Sequence, residues 1–270
     1  MTTLLYHARQ IGPICKKIAA KAPDNLRAVC DKTTTQIPMF SSTVIRWDST
    51  QDAWCNEDIN KKGSVILSRN KRDSRLAMGD LTVPTWVNLG DLKFPCLMRP
   101  KRHYGAHGFY VVKDLNEART ARRKCGGSYK WYASPIIDKK TEYRVFVFQD
   151  YCVKVVRRYH DDPSQIAWNI ANGGKSARLK RSSWPLEVVK RAILAGRVLD
   201  LDWYAADVIV SQGGKVYVLE LNTAPGLGRD ETFKTLAKLF VWAGENPKPQ
   251  ACPGNSWQDL LHPALRGSNL

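Results

Sequence analysis

The stretch Asp-Val-Ile-Val-Ser-Gln-Gly-Gly-Lys-Val-Tyr-Val-Leu-Glu, residues 207–220, constrains this chain more than any other. Two β-rich arms, 205–210 and 215–221, flank Gly213-Gly214. A Gly-Gly pair between such arms predicts a two-residue hairpin turn, because both positions tolerate positive φ. Counting outward from that turn sets Gln212 opposite Lys215 and Asp207 opposite Glu220. Directly opposed residues have Cβ atoms roughly 4.5–5.5 Å apart, where two carboxylates repel. A divalent cation between them removes the conflict. Asn222 follows Glu220 by two residues, so the pleat projects both from one face of the strand. Such an all-oxygen donor set suits magnesium, which takes one or two carboxylates and completes its shell with water and phosphate oxygens. A competing reading makes Asp207 a solvated edge residue and pairs Glu220 with a nearby lysine or arginine. The apolar neighbours Val208, Ile209, Val218 and Leu219 speak for a buried hairpin, where unpaired charge is costly.

Similar patterning organises the rest. Residues 1–70 alternate short apolar runs with turn signals, which predicts a small α/β unit. A helix is expected over 70–79, carrying Lys71, Arg72 and Arg75, and an extended segment resumes at Val83-Pro84-Thr85. Two short strands between 94 and 112 flank the loop 101–108, and a basic helix over 115–124 ends at Gly126-Gly127. Residues 143–149 and 151–158 alternate like the arms of a hairpin. A helix over 185–198 has proline near its first turn, where a missing N–H does no harm. A last helix covers 231–242, and a loop-like tail follows Gly244.

The net charge of +17, from 42 Lys and Arg against 25 Asp and Glu, favours polyanionic partners without choosing among them. The bases are spread along the chain and no nucleic-acid motif accompanies them. No apolar run approaches the roughly 18 residues that span a bilayer, and the first 22 residues lack a signal peptide's apolar region. Seven cysteines, odd in number and widely spaced, predict free thiols in a reducing compartment, hence the cytoplasm.

The segment Leu219-Glu220-Leu221-Asn222-Thr223-Ala224-Pro225-Gly226 closely resembles the magnesium-binding strand of the ATP-grasp superfamily, Glu-x-Asn-x-x-Pro-Gly. Ordered companions extend the resemblance from Val65 to Leu227, about 60% of the chain. Asp207 stands where the family has its upstream metal aspartate. Asn70-Lys71-Arg72-Asp73-Ser74 resembles the helix whose lysine reaches ATP phosphates. Phe94 to Pro100 matches the strand that ends in a second ATP-binding lysine, here replaced by Arg99, with Lys101 able to share the role. Gly105 to Gly108 stand where a glycine loop closes over the phosphates, and 133–137 is the expected adenine hinge. Glu142-Tyr143-Arg144 and Arg157-Arg158 resemble strands of ribosomal-protein glutamate ligases and related carboxylate–amine ligases. Residues 169–174 resemble the segment those enzymes place near the acyl phosphate, although Ala167 replaces the family's arginine.

The resemblance implies an α+β, α/β chain: a small N-terminal α/β subdomain (1–85), a central lobe with the glycine loop (86–139), a C-terminal lobe with the metal site (140–243) and a tail (244–270). ATP would lie between the lobes. Lys71, Arg99, Lys101, Gly105 and Gly108 would bind it, and Asp207, Glu220 and Asn222 would hold magnesium. Arg144, Arg157 and Asn169 would stabilise the tetrahedral intermediate formed when an amine attacks an acyl phosphate. The expected substrate is an anionic small molecule or peptide. An ATP-grasp phosphotransferase, or a basic protein that ligates an amino acid to a modified base in nucleic acid, stays open. His103 and His107 are read as plain loop residues, and Trp131, Trp168, Trp184 and Trp203 as packing. Oligomeric state is not legible.

Overall fold

The computed structural model describes residues 2–6, 12–31, 43–52, 55, 57–102, 108–162, 165–166, 168, 173–227, 230–246, 259 and 261–265. Three sheets organise them. The first is parallel, in the order β2 (Leu26–Cys30), β1 (Thr2–Tyr6), β3 (Thr43–Trp47), β4 (Glu57–Ile59), with helix α1 (Gly12–Ala19) connecting β1 to β2. Helices α2 (Lys62–Arg69) and α3 (Lys71–Met78) then lead to the second sheet. This is antiparallel, with β5 (Cys96–Pro100) between β6 (Tyr110–Val112) and β7 (Trp131–Pro135), and α4 (Leu115–Lys124) packs on it. The third, also antiparallel, runs β10 (Lys175–Arg178), β9 (Tyr151–Tyr159), β8 (Lys139–Phe148), β11 (Trp203–Ser211), β12 (Val216–Asn222). Helix α5 (Leu186–Val198) lies on this sheet, and α6 (Asp230–Glu245) closes the chain.

Local chemistry sets the helix ends. Asn70 caps α3 by accepting from the Asp73 N–H, and Asp114 caps α4 by accepting from the N–H groups of Asn116 and Glu117. Gly126 and Gly127, at φ +97° and +89°, turn the chain away after α4. Gly196 lets α5 approach β11 so closely that a Cβ there would lie 1.9 Å from the Tyr204 hydroxyl, which donates to the Ala192 carbonyl. Helix α2 is not announced by the weak periodicity of the first 70 residues.

One large core runs beneath the first and third sheets together. Trp47 of β3 meets Trp203 of β11 with ring centroids 5.2 Å apart, and Phe240 of α6 packs against both and against Phe148 of β8. Helix α6 leans on α1 and on strands β1 to β3. Buried Asn60, just past β4, accepts from the N–H groups of Asp202 and Trp203 at 2.9 Å and donates to the Trp203 carbonyl. It thereby docks the N-terminal sheet onto the start of the strand that carries Asp207. A smaller core lies under β5–β7 and α4. Among the described residues no helix is long and apolar enough to cross a membrane. The described cysteines, 15, 30, 55, 96, 125 and 152, are free.

Candidate active site

The β11–β12 hairpin closes differently from the sequence count. Ser211 and Lys215 bracket a three-residue loop: the Gly214 N–H donates to the Ser211 carbonyl, and the Ser211 N–H to that of Lys215. Only Gly214 of the glycine pair has positive φ, +79°. Such a type of turn followed by a left-handed glycine is the common three-residue solution. The ladder therefore starts one residue out of the expected register, with Val210 opposite Val216 and Val208 opposite Val218. A bulge then leaves Leu219 without an opposite residue, and Asp207 faces Glu220 after all. The turn displacement and the bulge cancel. Leu219, pushed out of register, offers its carbonyl to Arg75 Nε of α3 at 3.0 Å.

A second bulge decides which arginine enters the site. Gln149 and Asp150, both at positive φ, make the two-residue turn from β8 to β9. An unbroken ladder from Phe148–Tyr151 would set Arg157 opposite Glu142. The register shifts between Phe146 and Val147, so Arg158 takes that place instead. A one-residue slip exchanges the faces of a strand. Arg157 is exposed on the far side, and the expectation that it works beside Arg144 is corrected: the inward residue is Arg158.

On the inward face, Arg144 of β8 clamps Asp207 with two parallel bonds of 2.7 Å, from Nε to Oδ1 and from Nη2 to Oδ2. Arg158 Nη1 bridges Glu142 Oε1 at 2.8 Å and Asp207 Oδ2 at 3.2 Å. Lys139 Nζ reaches Glu142 Oε2 at 3.1 Å, and Lys71 Nζ lies 3.6 Å from Glu220 Oε2. Burial pushes the Asp207 carboxyl up, but Arg144 and Arg158 outweigh it and hold it down to about 2. Burial alone lowers the Arg144 guanidinium, and Asp207 more than restores it, so its net shift is upward. Asp207 is thus buried and paired rather than a solvated edge residue. Glu220 does pair with a lysine, and that lysine is Lys71.

The donor set fits magnesium. Asp207 and Glu220 lie side by side on adjacent strands; Asp207 Oδ1, which accepts from Arg144 alone, keeps a lone pair for a cation, whereas Oδ2 is shared by Arg144 and Arg158. Asn222, one pleat repeat along, presents an amide oxygen that accepts weakly from the Ala224 N–H at 3.4 Å. Among the described residues no group of three His, Cys, Asp or Glu side chains could hold a metal, so a site here depends on that amide and on non-protein oxygens.

Beside this cluster, between the second and third sheets, lies a cavity of about 330 Å³. Val83, Leu97, Ile209 and Leu219 give it apolar walls, 134–138 line one edge, and Arg75, Arg99 and Lys139 add positive charge. The expected hinge thus borders the cavity. Arg99 lines it too, its Nε buried without a partner among the described residues and its guanidinium 5.7 Å from the Phe109 ring centre. Lys101 contributes through its backbone: its carbonyl accepts from the Lys71 N–H, which fixes the start of α3. Gly108, at φ +75°, rests against Pro100. Gly105, Asn169, His103, His107 and Ala167 lie outside the described residues.

Sequence reasoning passed over Arg75 and Lys139. Lys139 spans Glu142, the Ile166 carbonyl at 2.8 Å and the face of Trp168 at 4.1 Å, and lines the cavity together with Gln165 and Ile166. No sequence signal marks it, since its partners come from a loop with no periodicity. For Arg75, the spacing of four from Lys71 was an available hint, because it places both on one helix face.

No model of a protein family and no curated protein matches this sequence. Solved structures do. The ATP-grasp ligase PsnB complexed with minimal precursor superposes with a TM-score of 0.63 at 12% identity, covering 89% of this chain and 98% of that one. D-alanine–D-alanine ligase from Bacillus anthracis complexed with ATP gives 0.63 at 14% identity, over 90% of this chain and 97% of the other. The VanG D-Ala:D-Ser ligase from Enterococcus faecalis gives 0.62 at 11% identity, over 90% and 99%. The chain has the ATP-grasp fold.

Proposed function

We propose that this chain is an ATP- and magnesium-dependent carboxylate–amine ligase that forms an amide bond through an acyl phosphate and releases ADP and phosphate. One observation carries the reading. Leu219 walls a cavity of about 330 Å³ with apolar sides, room enough for a nucleobase, and the next residue, Glu220, stands among Lys71, Asp207 and Arg144. A base slot and a polyphosphate-and-metal cluster are therefore contiguous along one strand. Asp207, Glu220 and Asn222 would hold magnesium, which when bound offsets phosphate charge. Lys71 and Arg99 would neutralise the phosphates from the α3 and β5 side, with Lys101 anchoring α3 and the loop carrying Gly105 and Gly108 covering them.

Arg144 and Arg158 position Asp207 and keep the inward face cationic. A substrate carboxylate would attack the γ-phosphorus there, and an amine would then displace phosphate from the acyl phosphate. The segment with Asn169 would border that step. Such chemistry needs positioning and electrostatics rather than a protein nucleophile. Burial raises the thiols of Cys15, Cys96, Cys125 and Cys152 away from the reactive thiolate, in keeping with this. The solved neighbours include ligases for D-alanine and one bound to a precursor. For this chain the charge of +17 favours an anionic small molecule or an acidic peptide.

The test is ADP release with magnesium across amino acids, acidic peptides and nucleic acids. Glu220→Gln combined with Asn222→Ala should abolish it while leaving the melting curve in place; undiminished turnover removes the metal assignment. A stable phosphorylated product in place of an amide would make the chain a phosphotransferase. Steeply salt-dependent DNA binding would point to a nucleic-acid acceptor.

A further inference from the structure

Arg75 belongs neither to the metal cluster nor to the structural scaffold alone. It is 3% exposed, and its guanidinium is held in place by Nε on the Leu219 carbonyl at 3.0 Å and by the Tyr132 ring at 5.0 Å. Nη1 is buried and has no hydrogen-bond partner among the described residues, although Arg75 lines the cavity. Arg99 lines the same cavity with its own Nε lacking a partner among the described residues. Two guanidinium groups with buried, unmet donors at one cavity are costly unless something brought in from outside supplies acceptors.

The position selects what that is. On α3, Lys71 faces Glu220, where phosphates and metal belong, while Arg75 stands one turn further along against the apolar cavity. A planar heteroaromatic ring with acceptor nitrogens fits walls of Val83, Leu97, Ile209 and Leu219 that carry such donors. We propose that Arg75 is the base-reading residue of this chain: its Nη1 donates to a ring nitrogen of the bound purine, and so sets nucleotide specificity. This rests on the nucleotide site proposed above. The fixed plane of the guanidinium, locked by Leu219 and Tyr132, makes the donor directional, so it discriminates between acceptor positions rather than simply adding charge.

Calorimetric titration of the full chain with magnesium and ATP, 1-deaza-ATP, 3-deaza-ATP and 7-deaza-ATP tests this. Each analogue replaces one ring nitrogen by C–H and leaves the phosphates untouched. One of the three is expected to bind the native chain roughly tenfold or more weaker than ATP, the size of a lost hydrogen bond to a charged donor. In Arg75→Met that penalty should shrink to about twofold or less, because the donor that sensed the nitrogen is gone. Arg75→Lys, which keeps a donor and a stem, covers the case in which the methionine variant does not fold. If all three analogues bind the native chain as ATP does, or if the penalty persists in Arg75→Met, Arg75 does not read the base. A chain that binds no ATP at all overturns the ligase reading, and this assignment with it. ATP binding with no analogue penalty overturns this assignment alone.

Discussion

Asp207 shows how a buried carboxylate is made tolerable without being neutralised. Two arginines from adjacent strands share its two oxygens, and Arg158 is shared in turn with Glu142. Removing one member of a buried pair leaves a desolvated charge behind, which costs about 3–5 kcal/mol. Arg144→Met should therefore lower unfolding stability by about 3 kcal/mol in a urea titration. Arg157→Met, on the exposed far face, should stay within about 0.5 kcal/mol and keep turnover. Equal effects would put Arg157 back in the site.

The same clamp makes a pH prediction. The folded carboxyl is held down to about 2, against an ordinary value of 3.8. Its contribution is therefore complete above the unfolded value and is lost as pH falls from about 4 toward 2, on the order of 2 kcal/mol. Comparing urea midpoints at pH 5 and near pH 2.5, the native chain should lose more stability than Asp207→Asn. Identical losses would mean that Asp207 is not the group being protonated.

At the scale of elements, the site depends on two bulges. Between Phe146 and Val147 the β8–β9 register shifts and brings Arg158 inward. At Leu219 a bulge compensates for the three-residue loop and restores Asp207 opposite Glu220. It also turns the Leu219 carbonyl toward Arg75. The loop assigns unequal roles to its glycines, since only Gly214 occupies the left-handed region. Gly214→Ala should cost about 1 kcal/mol, whereas Gly213→Ala should change stability by less than about 0.5 kcal/mol, both read from thermal melts. The reverse order would restore the two-residue turn expected from the sequence.

Across the whole molecule, the N-terminal sheet is not an appendage. Its Trp47 packs on Trp203, its Asn60 holds the start of β11, and α6 leans on it from the far end of the chain. Thr223, one residue past Asn222, donates to Asp48 at the end of β3, which Arg69 also grips. Residues 1–85 expressed alone would expose the apolar face that α6 and the third sheet cover. They should show no cooperative melt by circular dichroism; a sharp transition would make them an autonomous unit.

The local chemistry of the chain was sufficient for much of this. Helix-like runs bounded by glycine and proline placed α3, α4 and α5 to within a residue or two, alternation placed the two hairpins, and the spacing of Glu220 and Asn222 marked one strand face. These signals are legible because they act between residues close in sequence. The facing of Asp207 and Glu220 was also foreseen, but through a turn count that the structure replaces by a longer loop and a bulge. Register is a cooperative property of packed strands, and a single bulge exchanges faces without altering composition. Hence only tertiary structure could choose Arg158 over Arg157, bring Lys71 from α3 to Glu220, and seat Arg75 with an unmet donor at the cavity wall.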